Sequence, residues 1–128
     1  MTVGWCFRDQ SDPYTEGALD ALADGEALVP AIWPLEIANV LLVAERRRRL
    51  SRGETTRLLE LLGALPISVQ DATFANVASD VLALGREHAL SSYDAAYLDL
   101  AARTGLPLAT RDAALVSACA RAGVPLLR

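Results

Sequence analysis

Lysine is absent from this chain of 128 residues, and all twelve basic residues are arginine. A biased genome gives the same pattern, so that absence excludes no function by itself. Cysteine is scarce. Cys6 and Cys119 lie near opposite ends with no CxxC spacing and no histidine companions, which argues against both a disulfide scaffold and a zinc site. Both thiols are expected to be reduced, buried, small hydrophobes. The single histidine, His88, stands in the polar stretch Arg86-Glu87-His88 and is expected at the surface. No apolar run approaches the roughly 18 residues that a membrane-spanning helix needs. No basic segment followed by an apolar one opens the chain as a secretory signal would, so the cytoplasm is the expected location and no membrane partner is expected. A net charge of -4 argues against a generic cationic coat for nucleic acid, though not against a local basic patch. No GxxxxGK[ST] phosphate loop is present, which counts against a Mg²⁺-dependent phosphotransferase or phosphatase of another α/β type.

What is present fits one soluble globular domain over residues 1–128: 52% of residues are hydrophobic and 22% charged. A chain of this length buries roughly two thirds of the surface its unfolded form exposes. Met1-Thr2-Val3-Gly4-Trp5-Cys6-Phe7 reads as a short strand or the remnant of a helix. Asp12-Pro13 then opens a helix expected over 12–24. Residues 26–30 form a brief strand closed by Pro30, and 32–49 a helix that is apolar nearly all round and therefore expected to be largely buried. It ends in Arg46-Arg47-Arg48-Arg49, where positive charge is favoured. Ser51 and Glu54 make a capping box for a helix whose Leu58, Leu59, Leu61 and Leu62 are expected to face the core before Gly63. Residues 65–69 alternate as a strand. Asp71 is expected to cap a helix over 72–85 stopped by Gly85, followed by a helix over 92–104, a strand over 106–110, a helix over 112–122 and a last strand over 124–127. Strands alternating with helices predict an α/β layered fold with a mostly parallel sheet.

In such sheets ligands bind beyond the carboxyl ends of the strands, where the following helices begin. Three acids occupy such helix starts: Glu36, Asp94 and Asp112. Capping is an alternative reading for two of them. Ser91-x-x-Asp94 matches a capping box, and Asp112 sits in a first turn with Thr110 as a possible N-cap. Glu36 is harder to explain in that way, because its neighbours Trp33, Leu35, Ile37, Ala38 and Val40 are apolar and an unpaired buried carboxylate is costly. If the three converge at about 5 Å in an effective dielectric of about 20, each pair costs roughly 3 kcal/mol. A cation must offset that, and oxygen-only ligands point to Mg²⁺ or Mn²⁺. Asn39, three residues after Glu36, shares nearly the same helix face and could orient a carboxylate or a bound water. Asp99 lies about 140° round the helix from Asp94 and four residues before Arg103, so an exposed ion pair is expected of it. The arginines at 46–49 and Arg52 could contact phosphates or could be a solvated helix end.

The segments Pro34-Leu35-Glu36-Ile37-Ala38-Asn39, Leu90-Ser91-Ser92-Tyr93-Asp94-Ala95-Ala96-Tyr97 and Leu108-Ala109-Thr110-Arg111-Asp112 together resemble the three later motifs of PIN domains, in the branch of the VapC toxins. The resemblance covers nearly the whole chain in order and spacing. It implies a three-layer α/β/α fold with a central parallel sheet, Mg²⁺- or Mn²⁺-dependent endoribonuclease activity, a homodimer, and neutralisation by a VapB-type antitoxin. It implies acidic, metal-holding roles for Glu36, Asp94 and Asp112, and supporting roles for Asn39 and Thr110. The family opens with a strand ending in aspartate; here that strand and its acid are missing, and Asp9 and Asp12 are poor substitutes. Either the start is placed several codons too late or the form is genuinely shortened. The second case implies a catalytically impaired remnant that binds antitoxin or RNA without cleaving.

Overall fold

The computed structural model describes residues 25–127. The expected N-terminal segment, the helix over 12–24, Cys6, Asp9 and Asp12 lie outside the described residues. Among the described residues the chain divides into two compact units, one formed by Leu28–Ala31 with residues 69–127 and the other by residues 25–27 with Ile32–Ser68. The elements in order are β1 (Ala27–Pro30), α1 (Trp33–Arg46), α2 (Arg52–Gly63), β2 (Ile67–Gln70), α3 (Phe74–Asn76), a π-helical turn (Val77–Val81), α4 (Leu82–His88), α5 (Ser92–Thr104) and α6 (Ala113–Ala122). β1 and β2 pair. The Ala27 N–H donates to the Pro66 carbonyl at 2.9 Å, so the start of one strand meets the start of the other and the two run parallel.

α1 begins without a side-chain cap but with proline in its first turn, where proline's fixed φ suits the helix and its missing N–H costs nothing. Ile37, Leu41 and Ala44 recur at helical spacing and are buried, packed with Trp33, Val40, Leu50, Leu58 and Leu62. The helix is less buried than its composition predicts: Leu35 is 68% and Leu42 47% exposed. A helix contacts its unit along one stripe, however apolar its other faces are. The same rule corrects α2. Its capping box forms as expected, Glu54 N–H to Ser51 Oγ at 3.1 Å and Ser51 N–H to Glu54 Oε1 at 3.0 Å. Only Leu58 and Leu62, one turn apart, join the core, while Leu59 and Leu61 are exposed.

In the larger unit the core is Leu98, Ala101, Leu115, Ala118, Cys119 and Val124, with Leu84, Leu90, Tyr97, Leu108 and Leu126 packed against it. Cys119 is free and buried, as its sequence context suggests, and burial pushes its thiol pKa up. Leu108 and Leu126 form a parallel bridge, where Leu108 N–H donates to Pro125 and Leu127 N–H returns to Leu108. The two expected strands are therefore present in place and direction, reduced to one bridge.

Thr73, rather than Asp71, caps the next helix, accepting from the Asn76 N–H at 3.0 Å. That helix does not stop at Gly85; it runs on to His88 and ends with Ala89 in the left-handed region. Gly85 serves close packing instead, since a Cβ there would lie 3.2 Å from the Leu90 carbonyl oxygen and 3.9 Å from the Ala95 Cβ. Gly105 and Gly123 end α5 and α6 at φ 70° and 74°, as the sequence predicts and as only glycine does without a steric cost. No helix among the described residues is long and apolar enough to cross a membrane.

Candidate active site

Asp94 and Asp112 begin two successive helices of the larger unit. Ser91 is the N-cap of α5, with an extended backbone, and its Oγ accepts from the Asp94 N–H at 3.1 Å. The cap thus uses the Asp94 amide. The carboxyl group is half-buried, and its pKa is raised above the ordinary aspartate value, first by burial and then by the negative charge of Asp112, with a hydrogen bond to the Ser91 side chain offsetting part of the rise. The two carboxylates therefore lie within electrostatic reach of one another.

Asp112 is itself the N-cap of α6, but its side chain makes no capping hydrogen bond. The capping explanation fails for this carboxylate. Its N–H donates to Thr110 Oγ1 at 3.2 Å, and its carbonyl accepts from Val116 at 2.8 Å to start the helix. The Thr110 hydroxyl thus helps fix the turn that leads from the Leu108 bridge to the exposed Asp112 at the start of α6. Both acids also sit at helix N-termini, whose partial positive charge favours an anion.

Glu36 and Asn39 belong to the smaller unit. Glu36 is half-buried in the first turn of α1, its N–H bonded to the Ile32 carbonyl at 3.1 Å, and Asn39 is exposed one turn later. The structure thus brings together Asp94, Asp112 and Thr110 in one unit and holds Glu36 with Asn39 in the other. Among the described residues no group of three His, Cys, Asp or Glu side chains is assembled to hold a metal ion. The donor set of the Asp94–Asp112 pair is oxygen alone, and a hard divalent cation would relieve the mutual repulsion of its charges, so the chemistry of the pair fits Mg²⁺ or Mn²⁺.

Two residues outside the pair differ from expectation. Asp99 does pair with Arg103, Nε to Oδ2 at 2.8 Å, but it is buried rather than exposed, and Asn76 Nδ2 also donates to Oδ2 at 3.3 Å. His88 is buried as well, its Nδ1 accepting from Arg121 Nε at 3.3 Å. Helical spacing carried both signals: Asp99 follows the buried Ala95 by four residues, and His88 follows the buried Val81 by seven. Their polar sequence neighbours masked that register.

A profile of the PIN domain family matches residues 5–120. The chain is also similar to Ribonuclease VapC3 of Pyrobaculum aerophilum, 36% identical over 75 residues, which cover 59% of this chain and 57% of that protein. The match thus spans little more than half the length of the curated relative. Its acids stand at helix starts, it combines helices with parallel strands, and its sequence fits the family profile over nearly its full length: this chain belongs to the PIN domain family.

Proposed function

We propose that the chain is one PIN-like domain over residues 1–128 that acts as a Mg²⁺- or Mn²⁺-dependent endoribonuclease, the toxin of a VapBC-type pair. The observation that carries this reading is the Asp94–Asp112 pair, two carboxylates at successive helix starts that repel one another, of which Asp112 has no capping role for its side chain. The name of the similar protein, Ribonuclease VapC3, supports RNA as substrate. A VapB-type antitoxin, a homodimer and a cytoplasmic location belong to the same proposal.

In this reading Asp94 and Asp112 would hold the metal ion, and Glu36 keeps the acidic, metal-holding role that the family resemblance implies for it. When bound, a divalent cation lowers the pKa of a water to give a nucleophile and offsets charge on the phosphate. The chain's own residues prepare that chemistry. Ser91 holds the backbone of Asp94, Thr110 holds that of Asp112, and Asn39, on nearly the same face of α1 as Glu36, orients that carboxylate. Purified protein should cleave RNA in the presence of Mn²⁺. Asp94→Asn preserves the amide that Ser91 caps and should cut the rate on the order of a hundredfold or more; cleavage by the variant at the parent rate would sink the assignment.

A second reading is a family member of the same fold that binds RNA or antitoxin without cleaving. It differs in a measurable way, because it requires no affinity for Mn²⁺.

A further inference from the structure

Five of the twelve arginines collect around one turn. α1 closes with Arg46, three more arginines follow at 47, 48 and 49, and Arg52 opens α2. All five are exposed, and among the described residues none of them forms an ion pair. Two acids flank the run, Glu45 before it and Glu54 after it, and neither forms an ion pair with these arginines among the described residues; Glu54 Oε1 accepts from the Ser51 N–H. Arg46 to Arg52 thus form a local run of positive charge in a chain whose net charge is -4.

The turn is also defined in its backbone. Arg48 N–H donates to the Glu45 carbonyl at 3.0 Å and Arg49 N–H to the Ala44 carbonyl at 2.8 Å, the two bonds of a Schellman ending. That ending places Arg48 at φ 59°, a left-handed position where glycine is usual and a side chain carries a steric cost. On the other side the Ser51 capping box fixes the start of α2. The guanidinium groups therefore leave a backbone held at both ends, which lowers the entropy lost when they engage a ligand.

We propose that this arginine turn binds the phosphate backbone of single-stranded RNA, a proposal that rests on the ribonuclease reading for its choice of polyanion. Guanidinium forks match phosphate oxygens two at a time. An acidic chain that acts on a polyanion needs a local cationic surface to overcome its own net repulsion. Contacts of this kind carry no sequence information and set affinity and register alone.

The test measures binding of a fluorescent single-stranded RNA to the full chain in EDTA, over a range of salt concentrations. Each phosphate neutralised on a single strand contributes a slope of about -0.7 in log K against log salt. The combined variant R47Q/R48Q/R49Q should therefore flatten the slope by about 2, and R52Q alone by about 0.7. R48G, which supplies the residue the backbone prefers, should lose about 0.7 of slope while melting no lower than the parent, so the reading survives even if the combined variant fails to fold. Unchanged slopes, no RNA binding by the parent, or arginine-dependent binding of polyglutamate in place of RNA would overturn the proposal. Cleavage assays with Mn²⁺ separate it from the reading it rests on. A parent that binds with the expected slope but does not cleave removes the ribonuclease assignment alone, whereas cleavage with unchanged KM and slope in the arginine variants removes the RNA-binding turn alone.

Discussion

Ionising Asp94 is resisted from two sides, since its surroundings withhold water from the carboxylate and Asp112 repels it, and the Ser91 side chain offsets only part of that. A carboxyl whose folded-state pKa is raised contributes stability that is fully present below its ordinary value of 3.8 and is lost as pH rises through the folded value. An asparagine cannot ionise and escapes that loss. In metal-free buffer, Asp94→Asn should therefore match the parent in melting temperature at low pH, gain on it as pH rises above 3.8, and hold a constant lead once the folded pKa is passed. Paired thermal melts across pH check this, and a lead that shrinks with rising pH would contradict the repulsion. At this scale the sequence was informative about identity and less so about environment. Glu36, Asp94 and Asp112 were legible as acids at helix starts, but that the Asp112 side chain makes no capping bond is a matter of rotamer and turn geometry, which a single sequence does not encode.

At the scale of elements, punctuation by glycine was legible at Gly105 and Gly123 and misleading at Gly85. Those first two have positive φ; Gly85 sits inside a helix because the Leu90 carbonyl and Ala95 approach it, and the two uses look alike in sequence. α4 ends instead on an alanine: Ala89 has φ 53°, and the Leu90 N–H closes the end on the Gly85 carbonyl at 3.0 Å. Alanine in this region carries a steric cost of roughly 1 kcal/mol that glycine does not, while glycine loses more entropy on folding than alanine does. The exposed Ala89→Gly substitution should thus stabilise the protein by a few tenths to about 1 kcal/mol. Chemical denaturation should show a higher midpoint with an unchanged slope; a lower midpoint would mean that the left-handed turn is not what ends α4.

For the molecule as a whole, the alternation of strands and helices was readable because each element carries its own period, whereas the gathering of acids from separate elements depends on how a sheet orders its strands. Leu108 and Leu126 show the limit: their segments were recognisable as strands, yet a single parallel bridge joins them. The proposed metal site makes a prediction at the same scale, because a cation that binds the folded chain and not the unfolded one stabilises every element linked to the site. A ligand at a hundred times its Kd contributes about 2.7 kcal/mol, which is several degrees of Tm for a domain of this size. Titrating Mn²⁺ into the metal-free chain should raise Tm steadily with concentration. The double variant D94N/D112N should begin from a higher Tm than the parent, since the repulsion is gone, and should gain little from the ion. The opposite signs make the experiment discriminating. If Mn²⁺ leaves the parent unmoved while RNA still binds, the pair repels without holding a cation, and the reading of a family member that binds but does not cleave becomes the better account of the chain.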